Sequence, residues 1–224
     1  MNRDPTLGDT TEPPRAAGDV CHAGRPPFWK DFSVSVQPLV GLDRFAVKQR
    51  YTMMVNRYEI RALGPNGEEG PILALAQQKR MAFKEEVTFY ADEQRTVPVF
   101  SFKARKRLDL AATYDVFDAQ GTPIGLFRKD FKASLLNSTY HLEAAGITAT
   151  GSERNMLVAI LRRVQDSIPL AVHYDFKDPA GNLVLSSDRK WGLRDFYTVN
   201  VPGARLDGRV AAAMAVALDA LQGR

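Results

Sequence analysis

Apolar and polar residues alternate with a period of two along much of this chain, most cleanly in two places. From Val99 to Arg107, Phe100, Phe102 and Ala104 fall on one face of an extended strand, while Ser101, Lys103, Arg105 and Arg107 fall on the other. From Val172 to Lys177, Val172, Tyr174 and Phe176 alternate with His173, Asp175 and Lys177. One buried and one wet face per strand predicts an antiparallel barrel or sandwich, since a parallel sheet covered by helices would read apolar on both faces.

Three segments repeat one grammar of strand, turn and strand. Tyr58-Glu59 leads through Gly64-Pro65-Asn66-Gly67 to Ile72–Leu75 and the pair Lys79-Arg80. Tyr114-Asp115 leads through Asp118-Ala119-Gln120-Gly121 to Ile124–Phe127 and Arg128-Lys129. Tyr174-Asp175 leads through Asp178-Pro179-Ala180-Gly181-Asn182 to Leu183–Leu185 and Arg189-Lys190. The pattern predicts a hairpin used three times, either as a true internal repeat or through the turn chemistry that all hairpins share.

Helical signals are few. Ser152–Arg163 reads as a short helix, with a strand as the alternative because of its β-branched residues. The stronger signal is Asp207-Gly208-Arg209 ahead of the run Val210–Leu221, which is apolar around nearly its whole circumference. Such a helix must be surrounded by protein or by lipid. A membrane span needs about 20 apolar residues to cross roughly 30 Å, whereas this run offers about a dozen, or about 18 Å. It also carries Asp219, and its many alanines make it thin enough to sit inside a closed sheet. Val210, Ala213, Met214, Ala217, Leu218 and Leu221 are therefore expected to pack against the inner wall of a β-barrel.

Composition separates the first forty residues from the rest. Pro5, Pro13, Pro14, Pro26, Pro27 and Pro38 are interleaved with Gly, Asp, Thr and Arg, and such a segment cannot bury enough surface to offset its ordering entropy. Residues 1–41 are read as a disordered tail and 42–224 as one folded domain. The single cysteine, Cys21, lies in the tail, so no internal disulfide forms and a reducing compartment is expected. No signal peptide or lipoprotein anchor is read at the N-terminus, which makes a cytoplasmic location the expectation. The net charge of +4 is mild and sits on the folded body, because the tail is about neutral.

The hairpins of the Tyr-Asp-x-x-Asp-x-x-Gly kind, the strand Gly125-Leu126-Phe127-Arg128-Lys129-Asp130-Phe131 running into Ser134-Leu135-Leu136-Asn137-Ser138-Thr139, and the segment Tyr197–Leu221 resemble the LURP-one-related proteins. These share a superfamily with tubby C-terminal domains and phospholipid scramblases, and the resemblance is to a bacterial member. It covers about residues 42–224 and implies a closed, roughly twelve-stranded antiparallel barrel around a central hydrophobic helix. Tubby domains bind phosphoinositide head groups through a Lys-x-Arg that would fall on Ile124–Arg128. Arg128 matches the Arg, but Leu126 stands where the Lys would be, so that specificity does not carry over. The palmitoylated cysteine-rich segment of eukaryotic scramblases is also missing.

Candidate chemistry points to binding. His22, His141 and His173 show no metal-ligand spacing, and no nucleophile elbow, phosphate loop or dinucleotide fingerprint occurs. Glu85-Glu86 and Asp115 with Asp118 are read as solvated or turn-capping acids. No cofactor and no enzymatic activity is expected. Lys103, Arg105 and Arg107, joined by Arg128, Lys129 and Lys132, form the candidate anion-binding patch, against the alternative of solvated charges that keep strand edges apart. The expected partner is anionic phospholipid, bound peripherally at the inner membrane face, or a protein. A scramblase-like activity, a scaffold role and an enzyme of unrecognised type are the alternatives. Nucleic acid is disfavoured because Phe100 and Phe102 point inward and leave no aromatics among the basic row.

Overall fold

The computed structural model describes residues 39–51, 55–79, 86–105, 113–130, 139–154, 173–189 and 196–222. Twelve strands form a closed, wholly antiparallel barrel in which every strand pairs with its sequence neighbours and β1 closes on β12. They are β1 (Arg44–Tyr51), β2 (Val55–Leu63), β3 (Glu69–Lys79), β4 (Glu86–Tyr90), β5 (Pro98–Ala104), β6 (Thr113–Asp118), β7 (Pro123–Asp130), β8 (Thr139–Ala144), β9 (Ile147–Glu153), β10 (His173–Lys177), β11 (Leu183–Arg189) and β12 (Phe196–Asn200). Helix α1 (Gly208–Gln222) follows a short 3-10 turn at Pro202–Ala204. Ser152 and Glu153 thus finish a strand; the rest of the expected helix to Arg163, from Asn155 on, lies outside the described residues, as do residues 1–38.

The alternation legible in the sequence sets the inner wall. Phe100 and Phe102 on β5, Tyr114 and Val116 on β6, Phe127 on β7, and Tyr174 and Phe176 on β10 are all buried. Phe89 stacks on Phe100 with centroids 4.3 Å apart, and Tyr114 stacks on Phe127 at 5.2 Å. A small eight-stranded barrel fills with its own side chains, whereas twelve strands leave a wider lumen. Helix α1 fills it. Val210 through Ala217 are each 0% exposed, and the helix touches β1 and β12 on one side and β5, β6 and β7 on the other. Val210, Ala213, Met214, Ala217 and Leu218 are in the core as expected; the Leu221 side chain lies outside the described residues. No helix among the described residues is long and apolar enough to cross a membrane.

Two close approaches at the N-terminal end of the helix explain a glycine on the helix and one on the wall beside it. A Cβ on Gly208 would lie 2.1 Å from the Leu39 carbonyl oxygen, so the chain entering β1 rests directly on the first turn of α1. A Cβ on Gly125 would lie 3.0 Å from Val210 Cγ2, where β7 passes the helix. Asp207 caps the helix: its Oδ1 accepts the Arg209 N–H at 2.9 Å, and its carboxylate also holds the Arg209 side chain, with Nη2 2.6 Å from Oδ2. Leu39 is itself fully buried in the core.

The three like segments are the hairpins β2–β3, β6–β7 and β10–β11, one in every four strands. Their turns make the same backbone bonds: Gly67 N–H to Gly64 O, Gly121 N–H to Asp118 O and Gly181 N–H to Asp178 O, at 2.9 to 3.1 Å. The glycines have φ of +82°, +81° and +86°, a region in which a side chain is strained. Each hairpin also carries a bulge near the turn, at Arg61, Val116/Phe117 and Phe176/Lys177. Asp118 and Asp178 cap their turns from within, whereas in the first hairpin Gly64 takes that place and the Glu68 carboxylate accepts the Asn66 N–H instead.

Candidate functional site

The three hairpins carry a polar frame on the outer wall. In each, a tyrosine points into the barrel, the following acid points out, and an arginine ending the preceding strand stands across from the residue before the tyrosine. The sets are Arg50 with Tyr58-Glu59, Arg105 with Tyr114-Asp115, and Arg154 with Tyr174-Asp175. Arg50 faces Arg57 in register, the Arg105 N–H donates to the Thr113 carbonyl at 2.9 Å, and the Arg154 N–H donates to the His173 carbonyl at 2.8 Å.

In the second and third sets the arginine clasps the acid with two hydrogen bonds. Arg105 Nε and Nη2 donate to the two oxygens of Asp115, both at 2.7 Å, and Arg154 Nε and Nη2 do the same to Asp175. This holds the Asp175 carboxyl below its ordinary range, with the Arg154 hydrogen bond as the main cause. Arg154 also stands 3.0 Å from Asp188, which pairs with His173 Nδ1 at 2.9 Å. His141 lies 3.3 Å from Asp130. Both body histidines thus face carboxylates, and no group of three metal-ligating side chains occurs among the described residues.

The first set is built differently. Glu59 is only 2% exposed although it points outward, and its acid is satisfied from its own strand: Arg57 Nε donates at 3.0 Å, and Arg61 Nε and Nη2 donate at 2.9 and 2.8 Å. A buried charge needs such pairing. Arg50, which corresponds to Arg105 and Arg154, is left 3.3 Å from Glu59 and donates no hydrogen bond among the described residues. Its side chain is 55% exposed. From the β4–β5 connection, Glu93 reaches across β3 and is gripped by both terminal nitrogens of Arg57, Nη1 at 2.7 Å. Arg57 in turn holds the Glu93 carboxyl below its usual range. Arg50, Arg57, Glu59, Arg61, Ile72, Gln77 and Glu93 line a cleft of about 470 Å³.

The expected basic patch is partly assembled. Lys103 points outward on β5 and lies 3.4 Å from Glu86, while Arg105 is committed to Asp115. Arg128 stands on the same outer face two strands away, since Arg105 and Arg128 both face Thr113; its side chain is exposed. Lys129 has the opposite parity and stacks over the buried Tyr140 ring at 5.9 Å, so it does not share a face with Arg128. Arg107 and Lys132 lie outside the described residues.

Residues 73–219, roughly two thirds of the 224-residue chain, match the LURP-one-related family. The chain belongs to that family. No curated protein matches it. The match of this LURP-one-related chain runs from within β3 to Asp219, and the closed barrel around its one described α-helix is the tubby-like architecture that the hairpin motifs implied. Most of the arginine cleft, including Arg50, Arg57, Glu59 and Arg61, lies ahead of the matched segment. This cluster is not among the residues expected from the sequence. Its signal was the alternation Arg57-Tyr58-Glu59-Ile60-Arg61, which places three charges on one strand face; Arg50 and Glu93 join them only through the β1–β2 register and the loop crossing β3.

Proposed function

We propose that this LURP-one-related barrel is a non-enzymatic module that docks peripherally on anionic phospholipid at the cytoplasmic face of a membrane. The observation that carries the reading is directional. All odd-numbered strands run toward the C-terminal end of α1; β3, β5, β9 and β11 end in or beside Lys79, Arg105, Arg154 and Arg189, and β7 carries Arg128 two residues before its end. The described basic residues at these strand ends therefore share one rim. The opposite rim carries the acid-capped turns of Asp118 and Asp178. A basic group close to an anionic bilayer contributes about 1 kcal/mol, and the attraction fades as salt shortens the Debye length to about 8 Å. A scaffold role is less favoured, because among the described residues only Val40 and Val97 are large hydrophobics left exposed.

Co-sedimentation with vesicles across a salt series tests this. Binding to phosphatidylserine-containing vesicles, absence of binding to neutral vesicles, and loss of binding with salt are expected. The combined change Lys103→Ala, Arg105→Ala and Arg128→Ala should reduce it strongly, and undiminished binding by that variant would retire the patch.

A further inference from the structure

We propose that the cleft on the outer wall of β1–β3 binds a phosphomonoester group through Arg50 and Arg57, and that Glu93 is an internal anion holding the place of that group. The site lies on the outer wall of β1–β3, four strands from β7, where a tubby-type Lys-x-Arg would fall.

Three observations converge. The first is the surplus arginine: in the two sister sets the corresponding guanidinium is consumed by its acid, whereas Arg50 is 55% exposed and donates no hydrogen bond among the described residues. The second is the contact Glu93 makes. A carboxylate set against both terminal nitrogens of a guanidinium shows that Arg57 presents a planar two-point donor outward, the geometry that also matches two phosphate oxygens. Arg57 Nε stays bonded to Glu59, so this donor remains aimed when Glu93 leaves. Glu93 can leave easily, being 57% exposed, while its loop is held independently by Asp92, whose carboxylate accepts the Thr96 and Val97 N–H groups at 2.8 to 3.0 Å.

The third observation is charge. Arg50, Arg57 and Arg61 face Glu59 and Glu93, and Glu69, 3.7 Å from Arg61, is offset by Lys48 at 3.0 Å; with Glu93 turned out, the cleft carries two uncompensated positive charges. A phosphomonoester has a charge of about −1.5 to −2 at neutral pH and matches this, whereas a single carboxylate or a phosphodiester leaves it unbalanced. A cleft of about 470 Å³ accepts the phosphate with a small substituent such as glycerol.

The test is calorimetric titration of the full chain with inorganic phosphate and with glycerol 3-phosphate. Arg50→Met keeps the stem and removes the donors, and should weaken binding about tenfold or more. Glu93→Gln removes the competing anion and should tighten binding about tenfold if the closed form holds about nine tenths of the population. Glu143→Gln, the same charge change on β8, should leave affinity unaltered. Vesicles containing phosphatidate, set against phosphatidylserine vesicles, distinguish a lipid headgroup from a soluble phosphomonoester: Arg50-dependent binding confined to phosphatidate vesicles assigns the lipid, and Arg50-dependent binding of glycerol 3-phosphate assigns the soluble ligand. Failure of both wild type and Glu93→Gln to bind any of these, or affinity indifferent to Arg50→Met and Glu93→Gln, overturns the proposal. Arg128→Ala should leave phosphate binding intact, which separates this site from docking at the rim.

Discussion

The first and third hairpins of this barrel are built on the same frame and end in opposite electrostatic states. In the third, Arg154 is shared between Asp175 and Asp188, so two acids engage the one arginine. In the first, Arg57 and Arg61 flank Glu59 along one strand and make the cross-strand arginine redundant. A repeated architecture thus supplies a position, and two changes beside it convert a structural ion pair into an unused cation. The second hairpin lies between them, with Arg105 paired and Arg128 added on the same row.

The largest effect separating the hairpins should come from removing their acids. Glu59 is nearly inaccessible and takes hydrogen bonds from two arginines, so Glu59→Ala should cost about 2–4 kcal/mol, toward the lower end because Arg57 and Arg61 can turn partly to water. Asp115→Ala removes the partner of an exposed Arg105 and should cost about 1 kcal/mol or less. Denaturant midpoints at constant slope measure both. Equal losses would show that Glu59 does not hold the arginines of the first wall in place.

Much of the architecture was legible in the sequence because it rests on local, periodic signals. The length of Val210–Leu221, its alanines and Asp219 excluded a membrane span on arithmetic alone, and the helix sits inside the barrel. Asp219 itself shows how such a residue is accommodated: at the far end of the helix it accepts hydrogen bonds from the Tyr58 hydroxyl at 3.3 Å and from the Tyr197 hydroxyl, and Gln49 Nε2 donates to Tyr58 at 3.0 Å. The basic patch was less legible. Parity along β7 already separates Arg128 from Lys129, but that Lys103 and Arg105 are offset by Glu86 and Asp115 depends on which strands become neighbours. The arginine cleft was legible only in its Arg57–Arg61 part, since Arg50 and Glu93 are brought in from β1 and from beyond β3.

A smaller effect follows from acid titration of the third hairpin. The Asp175 carboxyl is held below its ordinary range by Arg154, so the folded state favours the ionised form more than the unfolded chain does. That contribution is fully present above the ordinary aspartate range near pH 4 and is lost as pH falls through the lowered folded value. Asp175→Asn should therefore be less stable than wild type near neutrality, and the two should converge as the pH drops toward about 2. Parallel stability curves down to that pH would mean that Arg154 does not favour the charged form of Asp175.

The smallest expected change is the most informative about the first hairpin. Arg50 and Arg154 occupy corresponding places, so a purely architectural role for the frame predicts similar losses when either becomes alanine. Arg154 donates two hydrogen bonds to Asp175 and stands against Asp188, and its removal should cost about 1 kcal/mol. Arg50 has one ion contact at 3.3 Å to an acid already satisfied twice, so Arg50→Ala should move stability by no more than about 0.5 kcal/mol in either direction. Removing a cation from beside Arg57 and Arg61 also relieves like-charge repulsion, which pulls the value toward zero or slightly into stabilisation. Thermal or denaturant unfolding of the two variants decides it. A loss for Arg50→Ala as large as that for Arg154→Ala would make Arg50 part of the wall's own bonding, and the cleft would then have no surplus donor to offer a ligand.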